Sequence, residues 1–303
     1  MQATRPFDWD HLQAFLAVAR TGRLTAAASR LRTDHATVSR KVASLEASLR
    51  ARLFDRSPRG YSLNAQGERL LGVAEEMERL ALAAAETVGG ADAAVTGSVR
   101  IGAPEGFGSY FLAARLHRLI ERHPALRVQL VAAPSVLSLS RREADLVIAL
   151  SKPTGGRLVA RKLLDFELGL FASAAYLEGA PSIDSQDDLV RHRFIGYISD
   201  LLYAPELDYI QDIHPQISTA IESSNLIAQL RATLAGAGLC ILPAFIARAH
   251  AELAPVLPGI IRLVRSLYVI VHEDMRGLER LRIAADFLAE EARRDREALR
   301  LAG

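Results

Sequence analysis

The sequence predicts a chain in two parts: an all-α N-terminal segment built on a helix-turn-helix and prolonged by one long helix, then an α/β domain. Three observations carry this. Residues 24–42 read as two short helices about a tight turn; the apolar residues between Glu68 and Val88 recur at nearly the same interval; and beyond residue 97 short, almost wholly apolar runs alternate with helical patterns.

In the helix pair, Ala27, Ala28 and Leu31 recur at helical spacing, and the small alanines let a second helix cross closely. The second helix starts at Asp34, whose carboxylate caps the free amides of the first turn, and Val38, Val42 and Leu45 form its inward face. That phase turns His35, Thr37, Arg40 and Lys41 outward. Donors and cations on the N-terminal half of a helix suit a major groove, where base edges distinguish all four base pairs. Charge agrees: between Arg20 and Arg59 ten arginines and lysines face three carboxylates, a net +7, whereas the whole chain is only +2. Basic charge is thus concentrated where a phosphate backbone would lie.

From Glu68 to Val88, Leu70, Val73, Met77, Leu80, Ala84 and Val88 step by three or four, close to the period of two helices packed together. At 1.5 Å per residue this helix is roughly 30 Å long, enough to hold two readers apart on one DNA face. Asn64 is its expected cap, Gly89-Gly90 its end, and Ala91 to Gly97 a hinge. The alternative is an amphipathic helix packed on its own domain.

In the remaining chain, Val99–Ala103, Leu126–Val131, Asp145–Leu150, Leu168–Ala172, Arg193–Ile198, Gly238–Pro243 and Leu267–Val271 read as strands. Ser109–His123 reads as a helix with Phe111, Leu112, Leu116, Leu119 and Ile120 inward, and Leu278–Arg293 as another. Apolar strands between helices imply a sheet covered on both faces.

Enzyme signatures are missing from the sequence. There is no Gly-x-Ser-x-Gly elbow, phosphate loop or dinucleotide fingerprint, and the eight histidines show no metal-ligand spacing, so no catalytic residue, metal or cofactor is expected. Cys240, the one cysteine, lies in an apolar run and reads as core. Without a signal segment or an uninterrupted apolar run of about 20 residues, the expectation is a soluble, cytoplasmic chain with no membrane partner.

Several motifs in order resemble the LysR-type transcriptional regulators: Phe15-Leu16-Ala17-Val18-Ala19, Gly22, Leu24-Thr25-Ala26-Ala27-Ala28, Val38-Ser39-Arg40, Leu45-Glu46, Arg52-Leu53-Phe54-Asp55-Arg56, then Arg59-Gly60-Tyr61-Ser62-Leu63 and Gly67. The resemblance implies a winged helix-turn-helix over 1–66, a dimerising linker helix over 67–90, a hinge over 91–97 and an effector domain over 98–303. That domain would be like a periplasmic binding protein, with lobe 1 from 98–165 and 266–303 and lobe 2 from 166–265. The family usually carries Ser-Gln-Pro or Ser-Gln-Ser where this chain has Asp34-His35-Ala36, so His35 stands at a base-reading glutamine and the target sequence does not carry over.

On this reading His35, Thr37 and Arg40 meet base edges, while Thr25, Ser39, Lys41 and Arg56 lie near phosphates. Arg59 is placed like a wing arginine that reaches a minor groove. Ser39 is equally a helix serine bonding back to a carbonyl. Leu70, Val73, Met77, Leu80 and Ala84 would dimerise. The effector would lie beyond the strand ends, at Glu105, Gly106, Ser135, Ser151, Lys152, Ser199 and Asn225. Glu105 stands where the family often has a hydroxyl residue, which disfavours an anion unless Lys152 neutralises it and suggests a neutral or amine-bearing molecule. The implied partners are an inverted-repeat double-stranded DNA operator, a second copy in a dimer or tetramer, a small-molecule effector and RNA polymerase. The competing reading is a small-molecule binding or catalytic protein with a non-functional helix pair.

Overall fold

The computed structural model describes residues 7–57, 60–88, 95–133, 139 and 144–301, with the backbone only for 79, 82, 83 and 85–88. They divide between residues 93 and 94 into two units. Arg59, Ser135, Gly89-Gly90 and most of the expected hinge lie outside the described residues.

The first unit follows the expected order. Helix α1 (Trp9–Thr21) is capped by Asp8 and ends at Gly22, whose positive φ of 67° lets its N–H turn back to the Val18 carbonyl. Helix α2 (Leu24–Leu31) buries Ala27 and Ala28, and α3 (His35–Leu49) buries Val38, Val42 and Leu45 against α1. Strands β1 (Phe54–Ser57) and β2 (Gly60–Leu63) pair antiparallel as a wing hairpin. Gly60 is required there: its φ is +130°, and a Cβ would stand 2.4 Å from the Gly22 carbonyl oxygen, which accepts the Tyr61 N–H at 2.8 Å. Helix α4 (Ala65–Val88) starts under Asn64, whose Oδ1 accepts the Gln66 and Gly67 amides at 3.0 Å.

Helix α4 also packs on its own unit. Ala74 is fully buried in the core of α1–α3, and Leu70, Leu71 and Met77 lean against it, while Val73 and Leu80 are 59% and 52% exposed. The single apolar stripe expected from the sequence is therefore divided between an inward and an outward face. α1 offers α4 an apolar surface that periodicity alone does not disclose.

In the second unit, β3 (Gly97–Pro104) leads through a wide π turn (Phe107–Leu112) and a 3₁₀ turn to α5 (Leu116–Arg122), β4 (Leu126–Ala133) and β5 (Leu146–Ala149). The long β6 (Leu158–Ser173) is followed by α6 (Ala174–Glu178), β7 (Phe194–Gly196), α7 (Ile210–Ile213), β8 (Thr219–Glu222), α8 (Leu226–Leu234), β9 (Leu239–Pro243), α9 (Ala244–Ala247) and β10 (Leu253–Val256). β11 (Arg262–His272) and α10 (Glu279–Arg294) complete it. Among the described residues the sheet order is β4-β3-β5-β11-β6-β9-β7-β8, with β10 also on β6. β3 is parallel to β4 and β5, and β7 to β8 and β9, so each lobe has a parallel core.

The two lobes meet on β6 and β11. These strands run antiparallel, and Phe166 pairs directly with Arg265, the two positions at which the sequence reading divides the lobes. A bulge at Leu267/Tyr268 interrupts their ladder beside that crossing. One expectation is corrected here, and two strands are additional to those read from the sequence. The segment from Ser109 to His123 is not one regular helix, because the π turn adds residues to its first turn and rotates the later turns, leaving Ile120 46% exposed. β8, whose residues are mostly exposed, and β10, which contains Pro255, lack the apolar signal of the other strands. No described helix is long and apolar enough to cross a membrane.

Candidate DNA-reading face and effector cleft

The first turn of α3 is organised by Asp34. One carboxylate oxygen accepts the Thr37 N–H at 2.8 Å and the other its hydroxyl at 2.8 Å, and Arg40 Nη2 donates to the same hydroxyl oxygen at 3.0 Å. The Thr37 backbone N–H first, and its hydroxyl second, hold the Asp34 carboxyl below the usual carboxylate range. Asp34, Thr37 and Arg40 form a chain that aims the guanidinium from the exposed side of the helix. The Thr37 hydroxyl expected at a base edge thus has both its neighbours within the helix. His35, Arg40 and Thr25 are exposed, and Ser39 is half-buried.

Several cations of the +7 segment have intramolecular partners. Arg20, whose side chain is only 4% exposed, grips Glu78 of α4 with two bonds of 3.2 and 2.7 Å and lies 3.6 Å from Glu75. Glu46 is 4% exposed and collects Arg52 at 3.0 Å, Arg56 at 3.4 Å and the Leu53 N–H at 2.8 Å. Arg56 also stands over the Tyr61 ring, 5.4 Å from its centre. Lys41 reaches Asp10 at 3.3 Å. Arg20 is consequently a structural tie between α1 and α4 and is withdrawn from the phosphate-facing set. Glu46 joins α3 to the wing, a role that sequence reasoning assigned to no residue; its only sequence signal is a carboxylate directly after the inward Leu45.

The expected effector residues do not converge on one pocket. Glu105 and Gly106 line a narrow cleft between the lobes together with Tyr197, Tyr203, Tyr209 and Ser224, with a cavity volume of about 40 Å³. Ser151 and Lys152 line a neighbouring cavity that reaches Tyr203 and Ala204 of lobe 2, and Ser199 a third on lobe 2. Lys152 Nζ lies 5.4 Å from the centre of the Tyr268 ring. Two of the expected residues instead join the lobes: Asn225 Nδ2 donates to Glu105 Oε1 at 2.7 Å, and the Ser151 hydroxyl donates to Glu206 at 2.6 Å. Asn225 Oδ1 also caps α8 through the Ala228 amide. At Gly106 an added Cβ would lie 2.6 Å from Leu226 Cδ2 and 3.0 Å from Ile246 Cδ1, so those side-chain ends would have to shift to admit it.

Aromatic rings close the cleft. Phe245 packs edge-on against Phe166 at 5.7 Å and Phe107 at 6.0 Å, and Tyr197 against Tyr209 at 6.3 Å. Burial pushes the Tyr203 phenol up to about 12 and Tyr197 higher still, and the nearby Glu105 charge adds to both shifts. Cys240, fully buried on β9, is likewise pushed up to about 12 by burial. Among the described residues no group of histidines, cysteines and carboxylates is disposed to hold a metal ion.

Two family models match the chain in this order. The bacterial regulatory helix-turn-helix protein, lysR family, covers residues 9–68, and the LysR substrate binding domain covers residues 92–293. The HTH-type transcriptional regulator PtxR of Pseudomonas aeruginosa is 31% identical over 257 residues, 82% of this chain and 82% of that protein. Among solved structures, CrgA of Neisseria meningitidis, a LysR-type transcriptional regulator, is 25% identical with a TM-score of 0.58 over 93% of this chain and 98% of its own. A full-length OxyR variant from Pseudomonas aeruginosa has the same fold at 18% identity, with a TM-score of 0.69 over 95% of this chain and 98% of its own. A helix-turn-helix with an exposed, capped third helix, joined in sequence to a two-lobed α/β domain and matched along both parts, makes this chain a member of the LysR-type transcriptional regulators.

Proposed function

We propose that the chain binds an inverted-repeat double-stranded DNA operator as a dimer or tetramer, and that a small molecule held between the lobes of its C-terminal domain sets its effect on transcription. The observation that carries the reading is the solvent-facing first turn of α3, where Asp34 and Thr37 preset Arg40 beside an exposed His35. His35 and Arg40 read bases; Thr25, Ser39, Lys41 and Arg56 lie along phosphates; Arg59 follows the wing toward the minor groove. Thr37 acts through Arg40.

Residues 1–66 serve as the reader, 67–90 as the dimerising helix, 91–97 as the hinge and 98–303 as the effector domain. The outward Val73 and Leu80 of α4, with Ala84, support pairing with a second copy. The protein works in the cytoplasm without catalysis, and RNA polymerase is its partner at the promoter. The test is selection of genomic fragments by the purified protein at physiological salt against excess nonspecific DNA. A few recovered fragments sharing an inverted repeat are expected. Retention that vanishes with competitor, with and without cell extract metabolites, would refute the reading.

A further inference from the structure

The cleft between the lobes has a one-sided electrostatic character. Glu105 is the only charged residue among those lining it in the described structure, and no lysine, arginine or histidine faces it there. Oε1 of Glu105 is held by Asn225, whereas Oε2 is buried and has no hydrogen-bond partner among the described residues. A buried carboxylate oxygen without a partner is costly, because it has given up water and received nothing in return. The N-terminus of α8, which would otherwise attract an anion, already faces this carboxylate: the Asn225 side chain caps it with one end and grips Glu105 with the other.

Around that oxygen the walls are rings. Tyr197, Tyr203, Tyr209, Phe107, Phe166 and Phe245 all line the cleft. Burial first, and the nearby Glu105 charge in addition, raise the Tyr197 and Tyr203 phenols, so both stay neutral at physiological pH. Ring faces carry negative potential and attract cations, most strongly where water is excluded. Carboxylate and rings therefore favour the same sign of ligand.

We propose that this cleft takes a small organic cation, an alkylammonium or quaternary ammonium, with Glu105 Oε2 as its counter-charge and the faces of Tyr197, Tyr203 and Phe245 as its walls. The inference rests on the reading of the cleft as the effector site and adds the chemical class of the effector. Lys152, the residue that would reverse the sign, lines the neighbouring cavity with Ser151.

The test uses the full chain and titration calorimetry with three probes of matched shape: choline, its uncharged carbon isostere dimethylbutanol, and dimethylbutanoate. Choline is expected to bind at least about tenfold more tightly than the neutral isostere, with the carboxylate weakest. Glu105→Gln keeps an acceptor for Asn225 and is expected to remove the preference for the cation while leaving the isostere unaffected. Tightest binding of the carboxylate, binding of none of the three at millimolar concentration, or an unchanged preference in Glu105→Gln would overturn the proposal. Ser224→Trp, which fills the cleft, separates the two levels of the reading. If the carboxylate wins and Ser224→Trp abolishes its binding, the cleft is the effector site and the cation proposal fails; if every probe binds Ser224→Trp as it binds the native chain, the cleft reading fails as well. Circular dichroism of both variants confirms that they fold.

Discussion

Replacing Glu46 by alanine should loosen the junction between α3 and the wing by an amount that can be worked out contact by contact. Its carboxylate accepts the buried Leu53 N–H at 2.8 Å, and Leu53 itself is only 2% exposed, so truncation strands a donor away from water at a cost of about 1–3 kcal/mol. The bonds from Arg52 and Arg56 contribute less, because those side chains are 74% and 48% exposed, and about 0.5 kcal/mol each is the appropriate scale. The sum is about 2–4 kcal/mol, a large part of what a domain this size possesses. Glu46→Gln retains an oxygen for Leu53 and should cost about 1 kcal/mol. Trp9 is the only tryptophan and packs against the core of the first unit, so its fluorescence during urea unfolding reports this unit within the intact chain. At about 1 kcal/mol per molar urea, Glu46→Ala should move the midpoint down by about 2 M or more, or leave the unit unfolded from the start. Equal losses in the alanine and glutamine variants would refute the assignment of Glu46 as the acceptor that anchors Leu53.

Three further outcomes are expected. Arg40→Ala should weaken operator binding by roughly 1–3 kcal/mol per half-site and relax base preference in a binding-site selection; uniform weakening across all sequences would make it a phosphate contact. The Val73→Asp/Leu80→Asp double variant should convert the dimer to monomer in light scattering with no loss in Trp9-reported stability, since both side chains face outward, whereas Met77→Asp should lower that stability because Met77 leans on the core. Cys240 should resist alkylation in the native chain and react once denatured. Because its thiol is raised from 9.0 to about 12, the folded state keeps a proton that the unfolded chain releases, and stability should decline as pH rises from 9 toward 12.

Helix α3 illustrates how much of the site local chemistry discloses. A capping carboxylate at Asp34 and apolar steps at Val38, Val42 and Leu45 are contacts within one or two helical turns, and the helix forms on those residues. The same holds for Asn64 under α4 and for the strand core at Leu239–Pro243. The π turn at Phe107–Leu112 escaped because its apolar spacing is compatible with an ordinary helix, and an added Cβ at Gly108 within it would lie 2.7 Å from the Ala132 Cβ on β4.

By itself the sequence determined the two-part organisation, most of the apolar strands and the outward face of α3, because each depends on periodicity, caps or motif order along neighbouring residues, whereas the division of the lobes near Phe166 and Arg265 is what the family resemblance implies. Tertiary structure alone decided which charges remain available and which loops share a cavity. Arg20 meets Glu78 across 58 residues, Ser151 meets Glu206 across 55, and Glu105 meets Asn225 across 120. Such pairings carry no local periodicity, since they are set by where the folded backbone brings distant side chains together. They convert a basic segment into a partly paired one and a row of strand-end loops into an aromatic cleft with one negative charge among its described lining residues.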